Sequence, residues 1–218
     1  MSVCWSVDVS CFFQSNQYGI FGVMKYELPD SQKEVLPNLL GIVSVEALGV
    51  SEFEGFLKAE IVYTERLTDR TKFSVEYILQ LHKLALGHLY SFAGDLRSVN
   101  MSKAGFVFAA ARYLPETMSQ FEKDVLSKLP DRYNNTADLV RDIAIVHGEL
   151  LFIHPFREGN GRTARIIANL MSRKQGHDAL RFDLIDEKRF PEYVIAVQKS
   201  ALKDYNPMIE LIQTIFPG

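Results

Sequence analysis

The stretch IHPFREGNGRTAR, residues 153–165, separates two segments whose apolar residues recur at helical spacing. In the upstream segment, residues 137–154, leucine, isoleucine and valine recur at intervals of three and four, which is typical of a buried helix. Pro155 blocks the continuation of that helix and disfavours helical backbone at His154. A second helix is expected to begin near Gly161. The sequence therefore predicts a tight helix–loop–helix here.

The glycines and arginines of this loop favour an anionic ligand. Gly159 and Gly161 permit a tight turn and bring amide N–H groups close to a ligand at the N terminus of the next helix. Arg162 and Arg165 lie three residues apart and project from one side of that helix. Because a guanidinium fork matches phosphate oxygens, two of them favour a polyphosphate.

The remaining polar residues of the loop indicate the chemistry. A phosphate would repel Glu158 unless a cation bridged them, and Mg2+ binds through one or two carboxylates together with substrate phosphates. Asn160 adds an amide that could hold a phosphate oxygen. His154 could take a proton from an incoming hydroxyl, because the pKa of an imidazole is close to neutrality. Together these residues predict transfer of a phosphorus-centred group to an alcohol.

Each residue also has a purely structural interpretation. A single histidine after an apolar helix is more often structural than catalytic, and paired arginines are usually solvated or salt-bridged. The combination of all these residue types at fixed spacing favours a functional site.

The rest of the chain predicts a mainly α fold with a short β-hairpin. The first helix, from about residue 45, is expected to bury the stripe Val50, Phe53, Leu57 and Ile61. Ser74 is a good N-cap for the second helix. Residues 96–114 alternate apolar and small or polar side chains, which is the hairpin signal.

Composition excludes several classes of protein. A length of 218 residues with 47 % hydrophobic residues suits one globular domain, and a formal charge of -3 argues against nucleic acid or anionic membrane as a partner. The sequence lacks a run of about 18 apolar residues, so a membrane-spanning helix is not expected. The two cysteines, Cys4 and Cys11, have no zinc-ligand spacing, and a reducing cytoplasm is the expected setting.

The N terminus is expected to lie outside the folded domain. Residues 1–44 are interpreted as an N-terminal extension and residues 45–216 as the domain. Because Met24 opens a more ordinary sequence, residues 1–23 are a candidate mis-assigned start.

The segment HPFREGNGRTAR matches the Fic signature, His-Pro-Phe-x-(Asp/Glu)-Gly-Asn-Gly-Arg-x-x-Arg, and residues 36–42 and 92–109 also resemble that family. The resemblance implies a Fic-type helical core that transfers AMP from Mg-ATP to a Ser, Thr or Tyr hydroxyl of a target protein. It implies that His154 is the general base, Glu158 the Mg2+ ligand and Asn160, with the loop amides, the phosphate cradle. It also implies that Arg162 and Arg165 hold the phosphates. Doc-type relatives, which phosphorylate, replace part of the Gly-Asn-Gly-Arg sequence, which is retained here.

The same resemblance gives the hairpin a role as a flap that holds an extended segment of the target by main-chain pairing. The candidate flap residues are Val99, Asn100, Met101, Ser102, Lys103, Ala104, Gly105, Phe106, Val107 and Phe108. An ordinary hairpin that covers the core is the structural alternative.

Regulation is less clearly indicated. Many Fic proteins carry an inhibitory Ser/Thr-x-x-x-Glu-Gly/Asn helix, and Glu54-Gly55 fits its end, although Val50 stands where serine or threonine is required. Glu54 as an inhibitor of Arg165 and a small antitoxin partner are the two candidate modes. The functional alternatives are an enzyme that removes AMP or transfers another nucleotide, and a nucleotide-binding toxin or regulatory module.

Overall fold

The structure is a computed structural model that describes residues 35–103 and 106–217. The candidate mis-assigned start, residues 1–23, lies outside the described residues, as does most of the extension. Within these ranges no helix combines the length and apolar character needed to cross a membrane. The chain forms helices and one hairpin in the order α1 (Val45–Glu65), α2 (Val75–Leu86), β1 (Ser102–Lys103), β2 (Phe106–Val107), α3 (Leu114–Asp124), α4 (Thr136–Ile153), α5 (Asn160–Lys174), α6 (Phe190–Ser200) and α7 (Asn206–Ile215).

Helix α4 is the centre of the fold, and α5, α6 and α7 pack against it. Asn135 caps its N terminus, because the side-chain oxygen accepts from the backbone N–H of Asp138 at 2.8 Å. The predicted core positions of α4 are all buried, namely Leu139, Ile143, Val146, Leu150 and Ile153. The mainly α fold with a hairpin is thus confirmed, and the buried helix ends where the functional loop begins.

The buried face of α1 differs from the predicted one. Val50, Phe53 and Ile61 are exposed, and the buried face carries Leu48, Gly55, Phe56 and Ala59. The reason lies at Gly55, where a Cβ atom would stand 2.0 Å from the carbonyl oxygen of Ala85 in α2. Close approach of the two backbones at Gly55 therefore decides which face is buried, and Val50, Phe53 and Ile61 face outward.

Helix α2 and the hairpin follow the sequence predictions. Ser74 caps α2 by accepting from the backbone N–H of Tyr77 at 3.1 Å, and the side chains predicted to point inward are buried. Strands β1 and β2 are antiparallel, with Ser102 opposite Val107 and Lys103 opposite Phe106. Residues 104–105 of the flap, between the strands, lie outside the described residues.

Candidate functional site

The backbone of His154 is left-handed at the C-terminal end of α4. Its φ is 52° and its ψ 58°, a conformation that costs a non-glycine residue about 1–2 kcal/mol. Arg97 holds this turn in place. Its Nε donates to the carbonyl oxygen of His154 at 2.7 Å, and its backbone N–H donates to the carbonyl oxygen of Pro155 at 2.8 Å. The loop therefore starts from a fixed, strained position.

The imidazole of His154 is buried beneath the flap. Phe108 stacks on it with ring centroids 3.8 Å apart and planes 15° from parallel. Its Nδ1 lies 3.1 Å from the carbonyl oxygen of Leu151, so Nδ1 carries the proton and Nε2 the basic lone pair. Burial lowers the pKa of His154 to about 3, and the nearby charges of Arg97 and Lys103 act in the same direction. The ring is therefore held neutral, in the form of a proton acceptor.

Asn160 closes the loop on itself. Its Nδ2 donates to the carbonyl oxygen of Phe156 at 2.7 Å, and its Oδ1 accepts from the backbone N–H of Phe156 at 2.8 Å. The side chain is buried, so these bonds fix the loop where water cannot replace them. The structure gives Asn160 this shaping contact, and the predicted bond to a phosphate oxygen stays a prediction.

His82 supports the loop from α2. Its ring stacks on Phe156 at 3.7 Å, its Nδ1 accepts from the backbone N–H of Gly94 at 2.9 Å, and its Nε2 donates to the carbonyl oxygen of Glu158 at 2.9 Å. Burial lowers the pKa of His82 to about 4. The neutral ring can satisfy both neighbours, one as acceptor and one as donor.

The two glycines of the loop have different requirements. Gly159 has φ +77°, and a Cβ atom there would lie 2.7 Å from Cζ of Phe56 and 3.1 Å from Cδ1 of Leu86. Gly161, in the first turn of α5, has no neighbour within 4 Å of a Cβ position. Gly159 thus lets the backbone turn and pack, whereas Gly161 leaves room above the N-terminal amides of α5.

Arg162 lies between two carboxylates. Its Nη2 is 2.6 Å from Oε2 of Glu52 in α1 and 3.3 Å from Oε1 of Glu158, and its guanidinium carbon lies 4.7 Å from the ring centroid of Phe56. The hydroxyl of Tyr90 donates to the other oxygen of Glu52. Burial raises the pKa of Glu158, and the charge of Glu52 raises it further. A cation beside Glu158 would therefore favour its ionised form.

Glu54 is not in the site. It lies on the exposed face of α1, and within residues 35–103 and 106–217 it forms no ion pair with either signature arginine. Gly55, which completed its resemblance to an inhibitory motif, is required for the packing of α1 on Ala85. The carboxylate that α1 brings to the loop is that of Glu52. The inhibitory role of Glu54 stays a prediction with no contact to Arg165 that supports it.

Arg165 reaches the other side of the loop. Its guanidinium carbon lies 5.7 Å from the ring centroid of Phe182, and its charge and a hydrogen bond act on the hydroxyl of Tyr193. That hydroxyl lies 2.8 Å from Nε2 of His147, whose Nδ1 donates to the carbonyl oxygen of Ala164 at 3.2 Å. The buried side chains of Tyr193 and His147 thus support the exposed Arg165.

Arg97 also joins the two ends of the flap. Its Nη1 donates to the carbonyl oxygen of Val99 and its Nη2 to that of Ala109. On the outer side, the side-chain oxygen of Asn100 accepts from the backbone N–H of Ala111 at 2.9 Å. The flap and the His154 turn are therefore fixed to the same guanidinium.

Sequence reasoning missed Glu52, His82 and Arg97. Glu52 lies three residues before Gly55, so a stripe of small residues on α1 would have indicated that its side chain faces inward. His82 and Arg97 are far from the signature in sequence, and their contacts follow from the way α2 and the flap pack on the loop. Long-range contacts of this kind carry no local signal.

Residues 72–172 match the sequence profile of the Fic/DOC family. This part of the chain is therefore similar to the Fic/DOC family. The protein adenylyltransferase fic-1 of Caenorhabditis elegans is 27 % identical over 168 residues, which are 77 % of this chain and 31 % of that protein. The protein adenylyltransferase VbhT of Bartonella schoenbuchensis is 28 % identical over 148 residues, 68 % of this chain and 31 % of that protein. The chain thus spans about a third of the length of these curated relatives.

Solved structures show the same fold. The N-terminal Fic domain of Bep8 from Bartonella sp. 1-1C superposes with a TM-score of 0.69 at 20 % identity, covering 87 % of this chain and 94 % of that one. BepC of Bartonella tribocorum, solved with bound AMPPNP, gives a TM-score of 0.69 at 20 % identity over 88 % of this chain and 96 % of that chain. The fold likeness therefore extends well beyond residues 72–172.

Proposed function

We propose that this Fic domain transfers AMP from Mg-ATP to a Ser, Thr or Tyr hydroxyl of a target protein. The observation that carries the proposal is the placement of a neutral His154, with its basic lone pair on Nε2, beside the N terminus of α5 and its two arginines. The relatives named protein adenylyltransferases support the reaction. The boundary 45–216 and a cytoplasmic location remain part of the proposal.

The nucleotide phosphates are proposed to bind at the first turn of α5. The backbone amides there carry the positive end of the helix dipole, and Arg162 and Arg165 supply guanidinium groups on either side. Gly161 leaves space for an oxygen to approach these amides, because no more distant part of the described chain comes within 4 Å of its Cβ position. The same site would hold the triphosphate of ATP.

The residues of the loop fit Mg2+, with the Glu158 carboxylate as its protein ligand. Among the described residues no group of three or more His, Cys, Asp or Glu side chains could hold a metal ion, so substrate phosphates and water would complete the shell. The raised pKa of the Glu158 carboxyl fits a group that awaits a cation. Bound there, Mg2+ would neutralise phosphate charge and orient the triphosphate.

His154 is proposed to act as the general base. Its Nε2 takes the proton of the target hydroxyl as that oxygen forms a bond to the α-phosphorus. The bond from the α-phosphorus to the bridging oxygen breaks, and pyrophosphate leaves. The negative charge of the nucleotide would raise the pKa of His154 from about 3 towards neutrality, which strengthens the base when substrate is present.

The hairpin is proposed to hold the target. Pairing of an extended target segment with an edge of the hairpin uses main-chain hydrogen bonds, which demand little of the target sequence. Val107 is exposed on β2, whereas Phe108 beyond it stacks on the base. An added strand would therefore lie next to His154.

The test is incubation of the protein with α-labelled ATP, Mg2+ and a lysate of its own cells, followed by mass spectrometry of labelled bands. His154→Ala is expected to reduce labelling by about 100-fold to 10,000-fold, the usual contribution of a general base, and to leave ATP binding intact by calorimetry. His177→Ala is the matched control, because His177 follows the far end of α5, about 22 Å from the loop for a helix of that length.

Retained transfer by His154→Ala would reject His154 as the base. ATP binding without transfer by the wild type would favour a binding module, and release of AMP from a modified target would favour the reverse reaction. Co-purification of a small protein that suppresses labelling would support an antitoxin partner.

A further inference from the structure

We propose that Glu52 is a positioning residue that sets the guanidinium of Arg162 for phosphate binding. The inference rests on the proposed function, because it concerns the arginine expected to meet the nucleotide. It starts from a contact outside the signature: among the described residues, the carboxylate nearest to Arg162, at 2.6 Å, comes from Glu52 in α1, 110 residues earlier in the chain.

Glu52 is itself held at a fixed point. Its side chain is 12 % exposed, and its second oxygen accepts from the hydroxyl of the buried Tyr90. Helix α1 packs closely on α2, with Gly55 against the backbone at Ala85, and this packing brings Glu52 to the loop. The carboxylate is therefore a rigid anchor.

The anchor determines the direction of the arginine. Arg162 has a long flexible side chain, and ordering it costs rotamer entropy. Glu52 and Glu158 both meet its Nη2, and Phe56 lies against the guanidinium face. Because one nitrogen and one face of the Arg162 guanidinium are held, the plane of the group is fixed. The N–H donors on its other nitrogens therefore point in set directions. The entropy of ordering is lost on folding, so phosphate binding does not incur it again.

A competing interpretation is that Glu52 occupies the place of a phosphate and inhibits the site. That would require the carboxylate to withdraw when the nucleotide arrives. The bond from Tyr90 and the packing of α1 oppose withdrawal. The two interpretations predict opposite signs: loss of the Glu52 charge weakens nucleotide binding if it positions Arg162, and strengthens binding if it blocks the site.

The test compares Glu52→Gln with Glu54→Gln in the full chain. Both remove one negative charge from α1 two residues apart, but Glu54 is exposed, and within the described residues the ion pairs of Arg162 are with Glu52 and Glu158. Binding of AMPPNP with Mg2+ is measured by calorimetry, and KM for ATP and kcat are measured for AMP transfer. Glu52→Gln keeps the size and the acceptor for Tyr90, and urea unfolding checks that it folds.

Glu52→Gln is expected to weaken AMPPNP binding and to raise KM for ATP by about tenfold, the equivalent of weakening one charge-assisted hydrogen bond. KM for the target is expected to stay unchanged, and Glu54→Gln to match the wild type. Tyr90→Phe, which removes the second anchor of Glu52, is expected to weaken binding in the same direction by a few fold.

Tighter AMPPNP binding or faster transfer in Glu52→Gln would overturn the proposal in favour of inhibition. Equal binding by Glu52→Gln, Glu54→Gln and wild type would overturn it as well. Because AMPPNP binding is measured without turnover, a wild type that binds the nucleotide but modifies no target would refute the transferase function and leave the Glu52 comparison valid.

Discussion

Replacing Gly159 by alanine should open the loop that joins α4 and α5. Two costs can be worked out from the structure. Alanine at φ +77° costs about 1–2 kcal/mol relative to glycine. The added Cβ would meet Cζ of Phe56 at 2.7 Å and Cδ1 of Leu86 at 3.1 Å, and overpacking of this kind typically costs about 1–3 kcal/mol. The free energy of unfolding should fall by about 2–5 kcal/mol.

Gly161→Ala supplies the matched comparison within the same loop. Its Cβ would have no neighbour within 4 Å, and Gly161 lies in a helix, where alanine is favoured over glycine by up to about 1 kcal/mol. This variant should be as stable as the wild type or slightly more so. A loss of ATP binding by Gly161→Ala at full stability would indicate that a phosphate oxygen approaches its amide.

Urea unfolding followed by circular dichroism measures both variants, with the m-value as a check that the transition is unchanged. Gly159→Ala should shift the midpoint downward and reduce AMP transfer, since displacing Phe56 also disturbs the face of Arg162. If the two alanine variants had the same stability, the assignment of the loop turn to Gly159 would be refuted.

Three other substitutions test separate parts of the site. Arg97→Lys replaces a guanidinium that donates to several carbonyl oxygens by a single ammonium group. We expect the free energy of unfolding to fall by about 1–3 kcal/mol and hydrogen exchange of the flap amides to become faster. Unchanged exchange would refute the link between the flap and His154. Asn160→Asp puts a buried carboxylate oxygen against the carbonyl oxygen of Phe156 in place of the Nδ2 donor, so it should destabilise the fold at least as much as Asn160→Ala, with urea midpoints as the measure. His147 is buried, and burial lowers its pKa from 6.5 to about 3. As the pH falls below about 6.5, His147 therefore takes up a proton in the unfolded chain but not in the folded chain. Between about pH 6.5 and pH 3, His147 should lower the free energy of unfolding by about 1.4 kcal/mol for each unit by which the pH falls. His147→Gln should remove this part of the pH dependence. An unchanged dependence would show that His147 is not the group responsible.

The sequence predicts most of the fold because its helices repeat their apolar residues clearly. Leu139 to Ile153 in α4 and Ile78 to Leu89 around α2 lie at helical spacing with good N-caps, and the structure buries them as predicted. The face of α1 is the exception, because two backbones in close contact favour Gly55 and Ala59 over Val50 and Phe53. The sizes of the apolar side chains do not indicate how closely two helices approach each other.

The site was predictable only where it is contiguous. His154, Glu158 and Arg162 lie in one loop, and the spacing of residues 154–165 places them together before any tertiary contact forms. The residues that hold them come from α1, α2 and the segment before the flap. Glu52 and Glu54 look alike in sequence, and a difference of two residues on a helix places them on opposite faces.

The hydrogen bonds of Arg97 separate how the hairpin is anchored from which side chains the hairpin carries. Every hydrogen bond from its guanidinium ends on a main-chain carbonyl oxygen, at Val99, Ala109 or the turn around His154. The bonds at Val99 and Ala109 therefore do not depend on which side chains stand there, whereas Asn100 and Phe108 contribute side-chain contacts of their own. Exposed side chains of the hairpin, such as Val107, can therefore be varied while its main-chain anchors to Arg97 stay the same, which allows the proposed role of the hairpin in target binding to be tested apart from the fold.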